Sequence, residues 1–197
     1  MMERIAKKLT AYIVGKGIVA ESEEKIYLYG FQMGLELIFN LIVSILIAIK
    51  MDMLPEAAVF FSVFIPIRSY AGGFHFDRYL ECFALSVVSY VGVLEGSKYL
   101  MVGRGFLIFA AVVFLLLVRC LFPVQNVRRI LDENEKKYFS QKLNRILCGE
   151  LLIVIVLGLL NRERLLRVTS LTLALIVVTM VAGKMKFYIL QQRRKKE

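Results

Sequence analysis

Tryptophan is absent from this 197-residue sequence, histidine occurs once, and proline and cysteine occur 3 times each. A single histidine excludes the multi-histidine metal centres: no H-E-x-x-H is present, and zinc takes three or four ligands from protein. Cysteines placed at 82, 120 and 148 do not form a disulfide framework. No internal repeat and no low-complexity linker divides the chain. Acidic residues are also scarce, 16 against 26 Lys+Arg, for a net charge of +10. Such a surplus suggests nucleic acid until hydropathy is considered. The chain is 58% hydrophobic with a mean hydropathy of +0.67, whereas soluble domains carry about 45–50% apolar residues even counting glycine. A soluble protein of this size has too much exposed area to hide that apolar surface. The composition therefore indicates a membrane protein, with no nucleic-acid partner.

A spanning helix needs roughly 20 mostly apolar residues. Six blocks approach this, at 31–49, 53–67, 82–100, 105–121, 146–160 and 168–184. The second and fifth are short and the third carries Glu95, so the alternative count is four full spans plus two short or re-entrant ones. Lys and Arg concentrate in cytoplasmic segments. With six spans and both termini inside, the inner segments hold 20 of the 26 basic residues and the outer ones 6. The expected fold is an all-α membrane protein of about six transmembrane helices with an N-terminal amphipathic interfacial helix.

Three regions follow from this reading: an amphipathic segment at the cytoplasmic interface (1–30), a transmembrane domain (31–190) and a basic cytoplasmic tail (191–197). The first thirty residues lack the apolar core and small-residue cleavage site of a secretory signal. Ile5, Leu9, Tyr12 and Ile13 share one helical face flanked by Arg4, Lys7 and Lys8, which suits either an anionic lipid interface or packing on the bundle's inner end. A second amphipathic unit is expected to open at Ser22, with Glu23 and Glu24 at its positive end. The 132–143 stretch, acidic first and basic later, reads as a solvated helical loop.

Chemistry concentrates in IPIRSYAGGFHFDRYLEC, residues 65–82. Pro66 should kink or end the second span. Gly72 and Gly73 permit positive φ or a close backbone approach, and His75 and Cys82 follow. On one continuous helix, seven residues would separate His75 and Cys82 by about 10 Å, whereas a base and its nucleophile need about 2.6–3.2 Å. A direct Cys–His pair therefore requires His75 to leave the helix of Cys82 and fold back over it. A position near a helix N-terminus would stabilise a Cys82 thiolate. Cys120 and Cys148 lie in or beside apolar blocks, where free cysteines behave as small hydrophobes.

The same stretch resembles the signature of the accessory gene regulator B (AgrB) family of bacterial membrane cysteine endopeptidases, which process quorum-sensing pro-peptides. Its pattern of Arg, Gly-Gly, an aromatic or small apolar residue, His, six residues and Cys is met by Arg68, Gly72, Gly73, Phe74, His75 and Cys82. The likeness extends to Tyr29-Gly30 and to Pro123 and Asn126. It departs at Val127-Arg128-Arg129, where the family commonly has a basic residue followed by proline.

The resemblance implies a cysteine peptidase in the bacterial cell membrane, with no cofactor and no metal. Its substrate would be a small AgrD-like pro-peptide. Cys82 would be the nucleophile and His75 the general base and acid, releasing a cyclic thiolactone or lactone; a homodimer follows from the family's habit. Arg68 would orient a substrate carboxylate, brace the glycine turn or anchor topology. Asp77 or Glu81 could orient His75. Arg128 and Arg129, with Lys136, Lys137, Lys142 and Arg145, would receive an acidic peptide tail or anionic headgroups. Glu36, Asn40 and Glu150 are costly in hydrocarbon and should face the bundle interior or a water-filled cavity, where they would line a peptide chamber, with Glu36 and Asn40 as substrate-binding residues, or pair with one another. The rival functions are a multi-pass peptide exporter, a metal-dependent membrane enzyme and a structural membrane subunit.

Overall fold

The structure, a computed structural model, describes residues 2–74, 79–124 and 132–194. Seven α-helices make up almost all of it: α1 (Met2–Gly15), α2 (Glu24–Lys50), α3 (Leu54–Ala71), α4 (Tyr79–Tyr99), α5 (Arg104–Leu121), α6 (Glu133–Leu159) and α7 (Glu163–Arg194). Four of them are long and apolar enough to cross a membrane: α2, α4, α5 and α7. The chain is an all-α membrane protein. The two short blocks lie in α3 and α6, which fall outside those four.

The helices form two compact units, residues 1–52 and 53–197. In the first, α1 packs against α2. Ala6 and Thr10 are the buried positions of α1, whereas Ile5, Leu9 and Tyr12 stay exposed. A 3-10 turn (Glu21–Glu23) leads directly into α2. The segment from Ser22 is therefore no separate amphipathic unit but the entry to the first span, and residue 30 lies inside α2. Glu24 in the first turn and Lys50 in the last complement the helix dipole. Only Ser44 and Ala48 of α2 are buried, so nearly all of its apolar surface faces outward.

In the second unit α7 is the central helix, in contact with α3, α4, α5 and α6. Its Leu166, Val168, Leu173, Ile176 and Met180 are fully buried. Four of these, Leu166, Leu173, Ile176 and Met180, join Val63 and Ile67 of α3, Ala111 and Val118 of α5, and Leu143 and Val154 of α6 in one core. A ring cluster of Phe60, Phe61 and Tyr90 connects α3 to α4, and Tyr70 meets Phe139 of α6 edge-on. Polar ties add direction to this packing: Ser170 Oγ donates to the Leu107 carbonyl at 3.1 Å and Arg167 Nη1 to the Ser97 carbonyl at 3.1 Å. Where α7 begins, Arg164 Nε meets the buried Glu56 carboxylate of α3 at 2.6 Å.

Two local expectations are corrected. Pro66 does not end its helix: α3 runs on to Ala71, because the flanking core residues Val63, Ile67 and Ala71 hold one continuous buried face. The 132–143 stretch is helical as expected, but it is no separate loop element: it forms the first turns of α6, a single 27-residue helix that continues into the fifth apolar block. Its start is set by a capping box. The Asp132 carboxylate accepts from the Glu135 amide at 2.7 Å, and the Glu135 side chain accepts from the Asp132 amide at 3.3 Å. Replacing Asp132 by alanine should cost about 1 kcal/mol. An apparent Tm lower by about 2–4 °C in detergent is the expected reading; an unchanged Tm would show that packing alone holds this end.

Candidate active site

The C-terminal end of α3 turns sharply. Ala71 is buried, and Gly72 follows at φ 78° and Gly73 at φ 151°, backbone conformations that side chains disfavour. A Cβ on Gly72 would lie 2.5 Å from the Val124 carbonyl oxygen, and one on Gly73 would collide with Arg68 Nη1. The glycine pair is thus needed for both conformation and space.

Arg68 supplies the frame of this turn. Its Nη1 donates to the Gly72 carbonyl at 2.7 Å and its Nη2 to the Phe74 carbonyl at 2.6 Å. One planar fork therefore holds two carbonyls two residues apart, a geometry that a lysine cannot reproduce. Of the roles open to Arg68 in the sequence, the structure shows the brace of the glycine turn. Arg68 lies in the last turn of α3, outside the four spanning helices. Burial lowers its pKa to about 10, and the electrostatic pull of Cys82 acts in the opposite sense. The guanidinium therefore stays charged at neutral pH and shares its field with the Cys82 sulfur.

Two further segments clamp the loop. The Val124 amide donates to the Ala71 carbonyl at 3.1 Å, and Gly72 and Val124 form a parallel β-bridge. From the other side, the Phe74 amide donates to the Thr179 carbonyl of α7 at 2.9 Å. Lys186 Nζ sits 5.4 Å from the Phe74 ring centroid. Beside that ring runs a shallow apolar groove of about 370 Å³, lined by Phe74, Ala182, Met185, Lys186, Ile189 and Leu190. Sequence reasoning missed Val124 and Thr179, whose contributions are backbone atoms and leave no side-chain signature.

Cys82 lies in the first turn of α4, is part-buried and is a free thiol. α3 ends at Ala71 and the backbone of Gly72–Phe74 is non-helical, so Arg68 and Cys82 do not share one helix. His75 and Asp77 lie outside the described residues, as do Arg128 and Arg129. Glu36 and Asn40 belong to α2 in the first unit and hydrogen-bond along their own helix: Gln32 Nε2 donates to Glu36 Oε1 at 3.1 Å, and Ser44 Oγ to Asn40 Oδ1 at 3.4 Å. Glu150 is buried in α6, as expected of a carboxylate costly in lipid, and its Oε2 has no hydrogen-bond partner among the described residues. No group of three or more His, Cys, Asp or Glu side chains among the described residues is placed to hold a metal ion.

The motif, the glycine turn and the helical membrane fold converge with one comparison. The family model described as accessory gene regulator B matches residues 3–182. The chain belongs to the accessory gene regulator B family. No match was found among curated proteins or solved structures. Membership places this AgrB-family protein in the quorum-sensing system that processes a pro-peptide. The match encloses the whole arginine-to-cysteine motif and runs from α1 into the second half of α7.

Proposed function

We propose that this AgrB-family protein is a cysteine endopeptidase that cuts the C-terminal part of a small autoinducer pro-peptide and promotes its cyclisation. The observation that carries the reading is the rigid turn at Gly72–Phe74, held by the Arg68 fork and placed one residue before His75, with a free thiol in the first turn of the next helix. The positive end of that helix and the neighbouring guanidinium both put positive potential at the sulfur.

The chemistry runs in two balanced steps. The Cys82 sulfur attacks the scissile carbonyl carbon as His75 takes the thiol proton. The C–N bond then breaks, and the amine leaves with the proton that His75 returns. In the second step a Cys or Ser side chain of the same peptide attacks the thioester carbonyl, the C–S bond to Cys82 breaks, and the thiol recovers its proton. An intramolecular acceptor at high effective concentration outruns water where water is scarce. Exchange of one thioester for another changes bond energy little, so thiolactone formation is readily reversible.

Location suits this chemistry. With α3 and α6 counted as short crossings beside the four longer helices, the 20-to-6 distribution of basic residues supports a cytoplasmic position for both termini and the catalytic loop of this bacterial membrane protein, where a thiol stays reduced. The exposed apolar face of α1 would lie in anionic lipid, and the outward surface of α2 is available to lipid or to a second copy in a homodimer. Arg128 and Arg129 would receive the acidic part of the peptide.

The purified protein in detergent, with no second compartment, tests the reading. Cleavage there should persist in chelator and disappear after thiol alkylation. Cys120 and Cys148 are also free and exposed, so the Cys120→Ser/Cys148→Ser variant is the proper host and should cleave at wild-type rate. Absence of cleavage in detergent would favour the exporter, and loss in chelator the metal enzyme.

A further inference from the structure

The arginine-to-cysteine motif supplies most of the site, but the loop before His75 is also seated on a distant helix. Gly183 of α7 sits beneath it. A Cβ there would lie 2.8 Å from the Gly73 carbonyl carbon, 2.8 Å from Val124 Cγ1 and 2.9 Å from the Phe74 amide nitrogen. Two of those three neighbours are backbone atoms, already fixed by the Arg68 fork, the Val124 bridge and the bond from the Phe74 amide to the Thr179 carbonyl. They cannot swing aside as a flexible side chain would. Thr179 and Gly183 are four residues apart, so they lie on one face of α7, one turn after the other. That face presents a carbonyl to capture the loop amide and, one turn on, a gap where the loop backbone fits. At Gly149 in α6, by contrast, an added Cβ would meet nothing within 4 Å, so close approach is a property of particular glycines in this bundle.

Helix length places the notch at a meaningful depth. Gly183 is twenty residues into α7, about 30 Å along its axis, which is the thickness of the hydrocarbon core. Lys184 and Lys186 follow immediately, as expected where a helix emerges into headgroups. Helix length alone would put the seat of the loop at a membrane boundary, where a peptide substrate can be met and water restricted.

We infer that Gly183 is a positioning residue of the active site: the absent side chain lets α7 hold the Gly73–Phe74 backbone that leads directly into His75. The inference rests on the peptidase reading above. Consecutive Cα atoms are about 3.8 Å apart, so fixing Phe74 restricts where the next residue can stand. His75 is the residue after Phe74, and Cys82 follows seven positions later. A displaced Phe74 changes where the chain enters His75, and misplacement of a catalytic group by about 1 Å can cost about a hundredfold in rate.

Gly183→Ala in the full-length protein tests this, with Gly149→Ala as the control for adding a methyl group to a helix. Two quantities are read: peptide processing per Cys82 that can be alkylated, followed by peptide-resolved mass spectrometry, and hydrogen exchange at the Phe74 amide. Gly183→Ala should lower kcat about ten- to a hundredfold with KM within about twofold, and should release the protection of the Phe74 amide while α5 amides keep theirs. Gly149→Ala should change neither. Wild-type kcat in Gly183→Ala overturns the inference, whether or not exchange rises; so does a loss of kcat with the Phe74 amide still protected. If Gly183→Ala does not fold, Phe74→Pro, which removes the amide donor without touching α7, is read on kcat alone, and full activity there overturns the inference equally. Failure of the peptidase reading is seen separately, as undiminished processing by Cys82→Ala.

Discussion

Cys82→Ala should leave the pro-peptide uncut, with processing lowered at least about a thousandfold, because it removes the thiol proposed to form the acyl intermediate. The variant should still insert and pack, since Cys82 is only part-buried and stands in the first turn of α4 rather than in the core. Intact-mass measurement on the wild-type protein, quenched in acid during turnover, should show a peptide acyl group that maps to Cys82. His75→Ala should suppress both cleavage and that adduct, because the thiol then has no partner to take its proton. The two losses will not add: residues that act as a unit lose nearly all their effect when either is removed. Wild-type turnover in Cys82→Ala would end the mechanism.

Arg68→Lys is the second large effect, and its point is that charge alone will not rescue. An amine keeps the positive charge near Cys82 but cannot donate along two fixed directions to the Gly72 and Phe74 carbonyls, which the guanidinium holds at 2.7 and 2.6 Å. Hydrogen bonds from a charged donor contribute about 1.5–3 kcal/mol each. Losing one, with the loop free to shift, should lower kcat about a hundredfold. Arg68→Gln should fall at least as far and should also slow alkylation of Cys82, since the neighbouring cation is gone. Kinetics on both variants, with site-resolved alkylation rates, separate the two contributions. Equal activity of Arg68→Lys and wild type would mean that the field of Arg68 matters and its fork does not.

Much of the architecture was legible in the sequence because it rests on composition and local spacing. Apolar blocks of spanning length locate α2, α4, α5 and α7, and the suspicion attached to the 53–67 and 146–160 blocks corresponds to the two helices, α3 and α6, outside that set. What misled was local punctuation. Pro66 reads as a kink or an end, yet α3 continues past it with a buried face, and the charged stretch from Asp132 reads as a solvated helical loop, yet its capping box starts the long helix that packs Leu143 into the core. In both places tertiary burial outweighs a local signal.

The candidate site divides in the same way. Arg68, Gly72, Gly73 and Cys82 are visible as a motif because they sit within fifteen residues of one another. Sequence alone determined that this is a membrane protein, that its basic residues are biased to one set of segments, and which short stretch carries the thiol and the imidazole. These follow from side-chain chemistry, which is written residue by residue. Only the tertiary structure showed that Arg68 braces the turn. It alone brought Val124 and, from over a hundred residues away, Thr179 and Gly183 against the same loop. Those three act through a backbone bridge, a backbone carbonyl and a missing Cβ, and such contributions acquire meaning only when folding sets one helix face against a distant turn.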